Sequence, residues 1–195
     1  MPMSYHSIAE FLRERPRAKQ LIVDLEAEHG STPFSRDTLD KIVQHNGIKC
    51  DMSMFVVAPI ALRHEHPPSI LVPPYAYEAN LSHELCHILL DTSNEITCEY
   101  FSALAIKKPL LKTLWSSAMD SIKFGYTFRQ FNEQERVEIG SKAIRKLHYK
   151  GYPTDILLML AEEYVQTVIP RNARQKTMKK YLDRIGIEAE SITSR

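Results

Sequence analysis

The sequence predicts a helix-rich α+β fold with a small β-sheet. Three observations carry this. Apolar residues recur at helical spacing in the first 45 residues and again after Pro74. Between those regions the period changes, in two short β-rich runs: Met54-Phe55-Val56-Val57-Ala58 and Ser69-Ile70-Leu71-Val72. Only six glycines occur in 195 residues, and most follow an expected helix.

In order along the chain, a first helix is expected over residues 7–15, with Ile8, Phe11 and Leu12 on one face. Pro16 interrupts it and opens a second, carrying Leu21, Ile22 and Leu25 and ending at His29-Gly30. A third runs over 36–45 through Leu39, Ile42 and Val43, and Asn46-Gly47 stops it. The two β-rich runs follow, with residues 63–68 as the loop between them, and their flanking prolines suit edge positions. One helix then holds His83 to His87, and another starts near Asn94 and ends at Lys107-Lys108-Pro109. A short helix is expected over 110–119. Asn132, with Glu135 three residues on, is a capping-box variant that opens a helix to about Lys150. Thr154 begins the next, which Pro170 closes, and a last helix spans 172–185 before Gly186 and a polar tail. The organisation expected is a single domain, 1–195, with N-terminal helices to about 47, a core over 48–109 and a helical part over 110–195.

Bulk composition excludes several function classes. Hydrophobic residues at 44% and charged residues at 25% are ordinary for a soluble globular chain. A formal net charge of +1 gives no global field for nucleic acid or membrane, and no apolar run could span a bilayer. The N-terminus lacks the basic-then-apolar pattern of a secretory signal. Three cysteines, Cys50, Cys86 and Cys98, are an odd count without paired spacing, which fits a reducing, cytoplasmic compartment.

The chemistry concentrates in His83-Glu84-Leu85-Cys86-His87. Residues four apart on a helix share a face, so His83 and His87 can place two imidazoles on one metal ion. Glu84 projects beside that site, off the ligand axis, where it can hold a water and take its proton. This is the HExxH arrangement of zinc peptidases. The alternative is a helix with merely hydrogen-bonded histidines. Leu81, Leu85, Ile88 and Leu89 give the segment a buried side, however, and a buried polar trio is costly without a partner. A metal answers that cost for the histidines.

A catalytic zinc needs a third protein ligand. Asp91-Thr92-Ser93-Asn94 can turn the chain and send a second helix back past the first, with Glu95 and Glu99 on a common face. Thermolysin-type gluzincins carry Asn-Glu-x-x-x-Asp after HExxH. By that resemblance Glu95 is the third ligand, and Glu99 is the carboxylate that orients a ligand histidine. On residues alone, both could be solvated acids near a helix start.

The segment from about 54 to 109 resembles the compact gluzincins of the ImmA/IrrE type. Their HELGH appears here as His83-Glu84-Leu85-Cys86-His87, with Cys86 in the glycine's place. Their E-x-x-A-N-x-F-A appears as Glu95-Ile96-Thr97-Cys98-Glu99-Tyr100-Phe101-Ser102, and Pro109 follows. The resemblance implies a gluzincin-like domain with Zn²⁺ as cofactor, and Glu84 as general base in peptide hydrolysis. It implies a specific regulatory protein as substrate, such as a transcriptional repressor, with neither membrane nor nucleic acid as the direct target. It also implies an edge strand beside the active helix that takes substrate as an added strand. Ile70-Leu71-Val72 is the candidate, with ordinary sheet core as its alternative. Two rival functions are a non-proteolytic adaptor stabilised by its metal and a nucleic-acid-binding regulator.

Zinc peptidases use a His or Tyr to stabilise the oxyanion, and the candidates are Tyr75, Tyr77, Tyr100 and His148. His64 and His66 lie in a polar loop and read as solvated. Cys86 reads as a small buried hydrophobe. The last helix is basic through Arg171, Arg174, Lys176, Lys179, Lys180 and Arg184, and reads as amphipathic with a solvated face.

Overall fold

A computed structural model describes residues 8–108, 131–184 and 186. Backbone contacts group the chain into two compact units, Met1–Lys108 and Pro109–Arg195. The helix expected over 110–119 and the tail after Gly186 lie outside the described residues. No helix among the described residues is long and apolar enough to cross a membrane.

The first unit opens with α1 (Ile8–His29), a single helix that runs through Pro16. Two helices separated at that proline are not found. A proline inside a helix loses one hydrogen bond and costs ~3 kcal/mol. Pro16 turns to solvent, while Glu14, Ala18, Ile22 and Leu25 form one continuous buried stripe across it. That stripe rests on a later helix, α4 (Glu95–Ile106), so tertiary burial overrides the local breaker. α2 (Arg36–His45) buries Leu39, Ile42 and Val43, with Ser35 capping its start.

The sheet has three strands in the order β1 (Lys49–Met52), β3 (Ser69–Val72), β2 (Ile60–Leu62). β1 runs parallel to β3 and β2 antiparallel to it. Two expectations fail here. The run Met54 to Ala58 forms turns rather than a strand, with Met54, Phe55 and Val57 more than four-fifths exposed. β1 pairs with β3 only as far as Met52 opposite Val72, because Pro73 and Pro74 follow and cannot extend the ladder. Ile70-Leu71-Val72 is also the central strand, not an edge. Pro68 and Pro73 stand just outside its ladder, and Ile70 and Val72 are fully buried. The edge beside the helix that carries His83 to His87 belongs to β2.

α3 (Tyr77–Leu89) and α4 form the closest helix pair of the unit. Leu81, Leu85 and Cys86 are buried on α3, and Ile96, Cys98, Tyr100 and Phe101 on α4. Asn94 caps α4 by accepting from the Ile96 and Thr97 amides. Among the described residues, the non-glycine positions with positive φ are Ala76, Asp91 and Lys107. They flank the ends of α3 and α4. Such conformations cost about 1–3 kcal/mol each and persist where surrounding packing fixes them.

The second unit contains α5 (Glu133–Tyr149), α6 (Thr154–Val168), a 3₁₀ turn (Arg171–Ala173) and α7 (Arg174–Arg184). The Asn132–Glu135 capping box opens α5 with both reciprocal bonds. Gly140 lets α5 approach closely, since a Cβ there would collide with Tyr164 and Tyr181. Much of the basic charge of α7 is used internally. Lys180 pairs with Glu138 at 2.5 Å, Arg184 donates to Ser141, and Arg174 donates to Gln166 and the Ile169 carbonyl.

Candidate metal centre

The helical spacing of His83 and His87 points both rings toward α4. Their Nε2 atoms lie 3.2 Å apart. Glu95, in the first turn of α4, brings one carboxylate oxygen within 3.1 Å of His83 Nε2 and the other within 3.6 Å of His87 Nε2. Ligands bonded at 2.0–2.2 Å to one tetrahedral ion stand about 3.3 Å apart. The three groups therefore have the spacing of a shared ion, and the donor set fits a divalent metal.

The outer nitrogens are also engaged. His87 Nδ1 donates to the Thr92 carbonyl at 2.8 Å, which leaves Nε2 as the free donor to an ion. α1 secures that turn. Thr92 Oγ1 donates to buried Glu14 and accepts from the Asn94 amide, and Arg17 reaches the Leu90 carbonyl. His83 Nδ1 faces Glu99 Oε1 at 3.1 Å, a close ion-pair contact off the ring N–H axis. Lys108 holds the other Glu99 oxygen at 2.8 Å. Glu99 thus lies between the outer nitrogen of His83 and the Lys108 ammonium.

Electrostatics follow from this crowding. Burial disfavours a charged His83, but the Glu95 and Glu99 carboxylates outweigh it and raise the ring's pKa to about 10 in the metal-free protein. Burial likewise opposes a charged Glu99, yet His83 and Lys108 hold it down to about 2. The His83 hydrogen bond lowers Glu95. Burial pushes Glu84 the other way, up to about 6, against the pull of His83 and of the Ala61 amide.

These values fix a pH dependence. A folded chain whose His83 titrates near 10 retains a proton that the unfolded chain, at 6.5, has released. Stability from this source is full below about pH 6.5 and is lost as pH rises toward 10. Chelator-treated protein should therefore lose Tm steadily from pH 7 to 10. Metal-loaded protein, with His83 Nε2 occupied, should not. Identical slopes in the two forms would remove His83 as the titrating group.

A cleft of about 550 Å³ opens over the centre, lined by His83, Glu84, His87 and Glu95 on one side and by Ala58 to Ala61 and Arg63 on the other. Glu84 is buried and accepts from the Ala61 amide, so the β2 edge faces this carboxylate. Of the oxyanion candidates in this unit, Tyr75, Tyr77 and Tyr100 do not line the cleft. Tyr75 bonds the Val57 carbonyl, Tyr77 donates to Asp40, Tyr100 is buried in the core, and His148 belongs to the second unit. The cation-bearing and amide side chains that line the cleft are Arg63, Asn80 and Lys108. His64 and His66 are exposed in their loop.

Sequence reasoning missed Cys98. Its sulfur and one ring nitrogen each of His83 and His87 all lie within 4.8 Å of one another, so these three also form a group able to hold a metal ion. The signal was present, because Cys98 follows Glu95 by three residues and shares its face. Lys108 carried no signal, since its contact depends on the left-handed turn at Lys107.

No family model, curated protein or solved structure matches this chain.

Proposed function

We propose that the chain is a zinc-dependent metallopeptidase that hydrolyses a peptide bond in a specific regulatory protein. The observation that carries this is the mutual 3.1–3.6 Å spacing of His83, His87 and Glu95 with Glu84 in the same cleft. His83, His87 and Glu95 would hold the ion, and Glu99 and the Thr92 carbonyl would orient the rings. A zinc ion held there would supply Lewis acidity, bringing the pKa of water down to about 7. Glu84 takes the proton from the attacking water and then gives it to the departing amine. Its raised pKa suits a group that must both accept and return a proton near neutrality.

β2 supports the choice of a peptide substrate. Ile60 to Leu62 are paired with β3 on one side only, and Ala61 turns its amide to the cleft. An extended segment can add there as a further strand, its carbonyl beside Glu84. Arg63, which follows β2, lines the cleft and lies 3.6 Å from Asp91, can donate to an oxyanion.

The test begins with metal content, expected at one zinc per chain. Full-length Glu84→Gln protein should then capture a partner from the native proteome that zinc-loaded wild type cuts, read as a new N-terminus by mass spectrometry. A zinc-loaded wild type that leaves the captured partner intact would sink the proposal.

A further inference from the structure

Cys98 has no role in the function proposed above, yet it stands with the metal histidines. It is fully buried on α4, carries a free thiol and faces α3 within the His83–His87 group. Glu95, one turn earlier, keeps 45% of its side chain exposed at the cleft mouth. One helix face therefore offers two different third ligands to the same histidine pair, a hard carboxylate outside and a soft thiolate inside.

The distances differ in an informative way. Glu95 already has the spacing of a ligand. In a tetrahedral zinc site with Zn–S near 2.3 Å and Zn–N near 2.0–2.1 Å, sulfur and nitrogen stand about 3.6 Å apart. The Cys98 sulfur lies within 4.8 Å of a ring nitrogen of each histidine, at most about 1.2 Å beyond that separation. Rotation about a cysteine Cα–Cβ bond carries its sulfur through roughly 3 Å, a movement larger than that difference.

We propose that Cys98 is a ligand of the metal, and that its thiolate closes the centre with His83, His87 and Glu95 in a latent, four-ligand state. On closure the S–H proton leaves to solvent, a Zn–S bond forms and one water departs; nothing is oxidised or reduced. A fourth protein ligand leaves no position for water, as in structural zinc sites. Opening is the reverse. The thiolate regains a proton and withdraws to its buried place beside α3, and the His83–His87–Glu95 arrangement remains. A thiolate with two imidazoles also selects zinc over magnesium, calcium and manganese.

This inference rests on the metal-centre reading, and the experiment separates the two. X-ray absorption on the zinc-loaded, full-length chain without substrate should resolve one sulfur scatterer at about 2.3 Å beside nitrogen and oxygen at 2.0–2.2 Å. Cobalt-substituted protein should show a thiolate charge-transfer band in the near ultraviolet, and Cys98→Ser should abolish it while visible cobalt bands persist. Zinc affinity in Cys98→Ser should fall by ~10-fold or more. Zinc bound by nitrogen and oxygen alone overturns the role of Cys98 and leaves the peptidase reading standing. A chain that binds no zinc overturns both. The wild-type spectrum decides the matter even if Cys98→Ser fails to fold.

Discussion

Glu84→Gln protein should keep its zinc and its thermal stability while losing activity on its partner by about 10²–10⁴-fold, the usual worth of a general base. Glutamine has nearly the volume of glutamate, so the buried site stays filled. Its carbonyl can still accept from the Ala61 amide, the contact that Glu84 makes on the β2 edge. What it cannot do is take a proton. Burial has lifted the Glu84 pKa to about 6, the range that suits a base near neutral pH. The substitution removes that property and little else. Zinc content and Tm should therefore match wild type in the same samples that have lost turnover. A variant that processes the partner at the wild-type rate would retire the peptidase reading in favour of a metal-stabilised adaptor.

The helices of the site were legible because their signals are local. His83 and His87 share a face by helical spacing, Asn94 announces α4 as a side-chain cap, and the positions of Glu95 and Glu99 follow from that cap. The Asn132–Glu135 box located α5 on the same grounds. The sheet was less legible. Apolar, β-branched composition reports a half-buried surface, not a pairing partner, so Met54 to Ala58 looked like a strand and forms turns. Whether a proline lies inside a ladder or just beyond it depends on register, which made a central strand resemble an edge. Pro16 misled because its penalty is local and the burial that offsets it comes from α4. The partner of Glu99 required a turn at Lys107 that no residue type announces.

Removing a ligand should behave differently from removing the base, with metal, stability and activity lost together. At zinc concentrations a hundredfold above Kd, binding stabilises the fold by about 2.7 kcal/mol, and a variant that no longer binds forfeits it. His87→Ala is the cleaner test. His83 carries a second duty in the metal-free protein, as the cation between Glu95 and Glu99, which lie 3.1 Å from its two nitrogens. His83→Ala would leave those carboxylates facing each other with only Lys108 beside Glu99 and His87 beside Glu95 to offset them. Its metal-free form should therefore melt below that of His87→Ala, although both lose zinc. Glu95→Gln should weaken zinc binding more than Glu99→Gln. The first removes a donor at ligand spacing, and the second removes an orienting contact worth about 10–100-fold. Isothermal titration with zinc, read beside thermal melts in chelator, distinguishes these cases. Near-full zinc content in the His83→Ala/His87→Ala double variant would end the metal-site argument. A larger loss for Glu99→Gln than for Glu95→Gln would reverse the assignment of ligand and orienting carboxylate on α4.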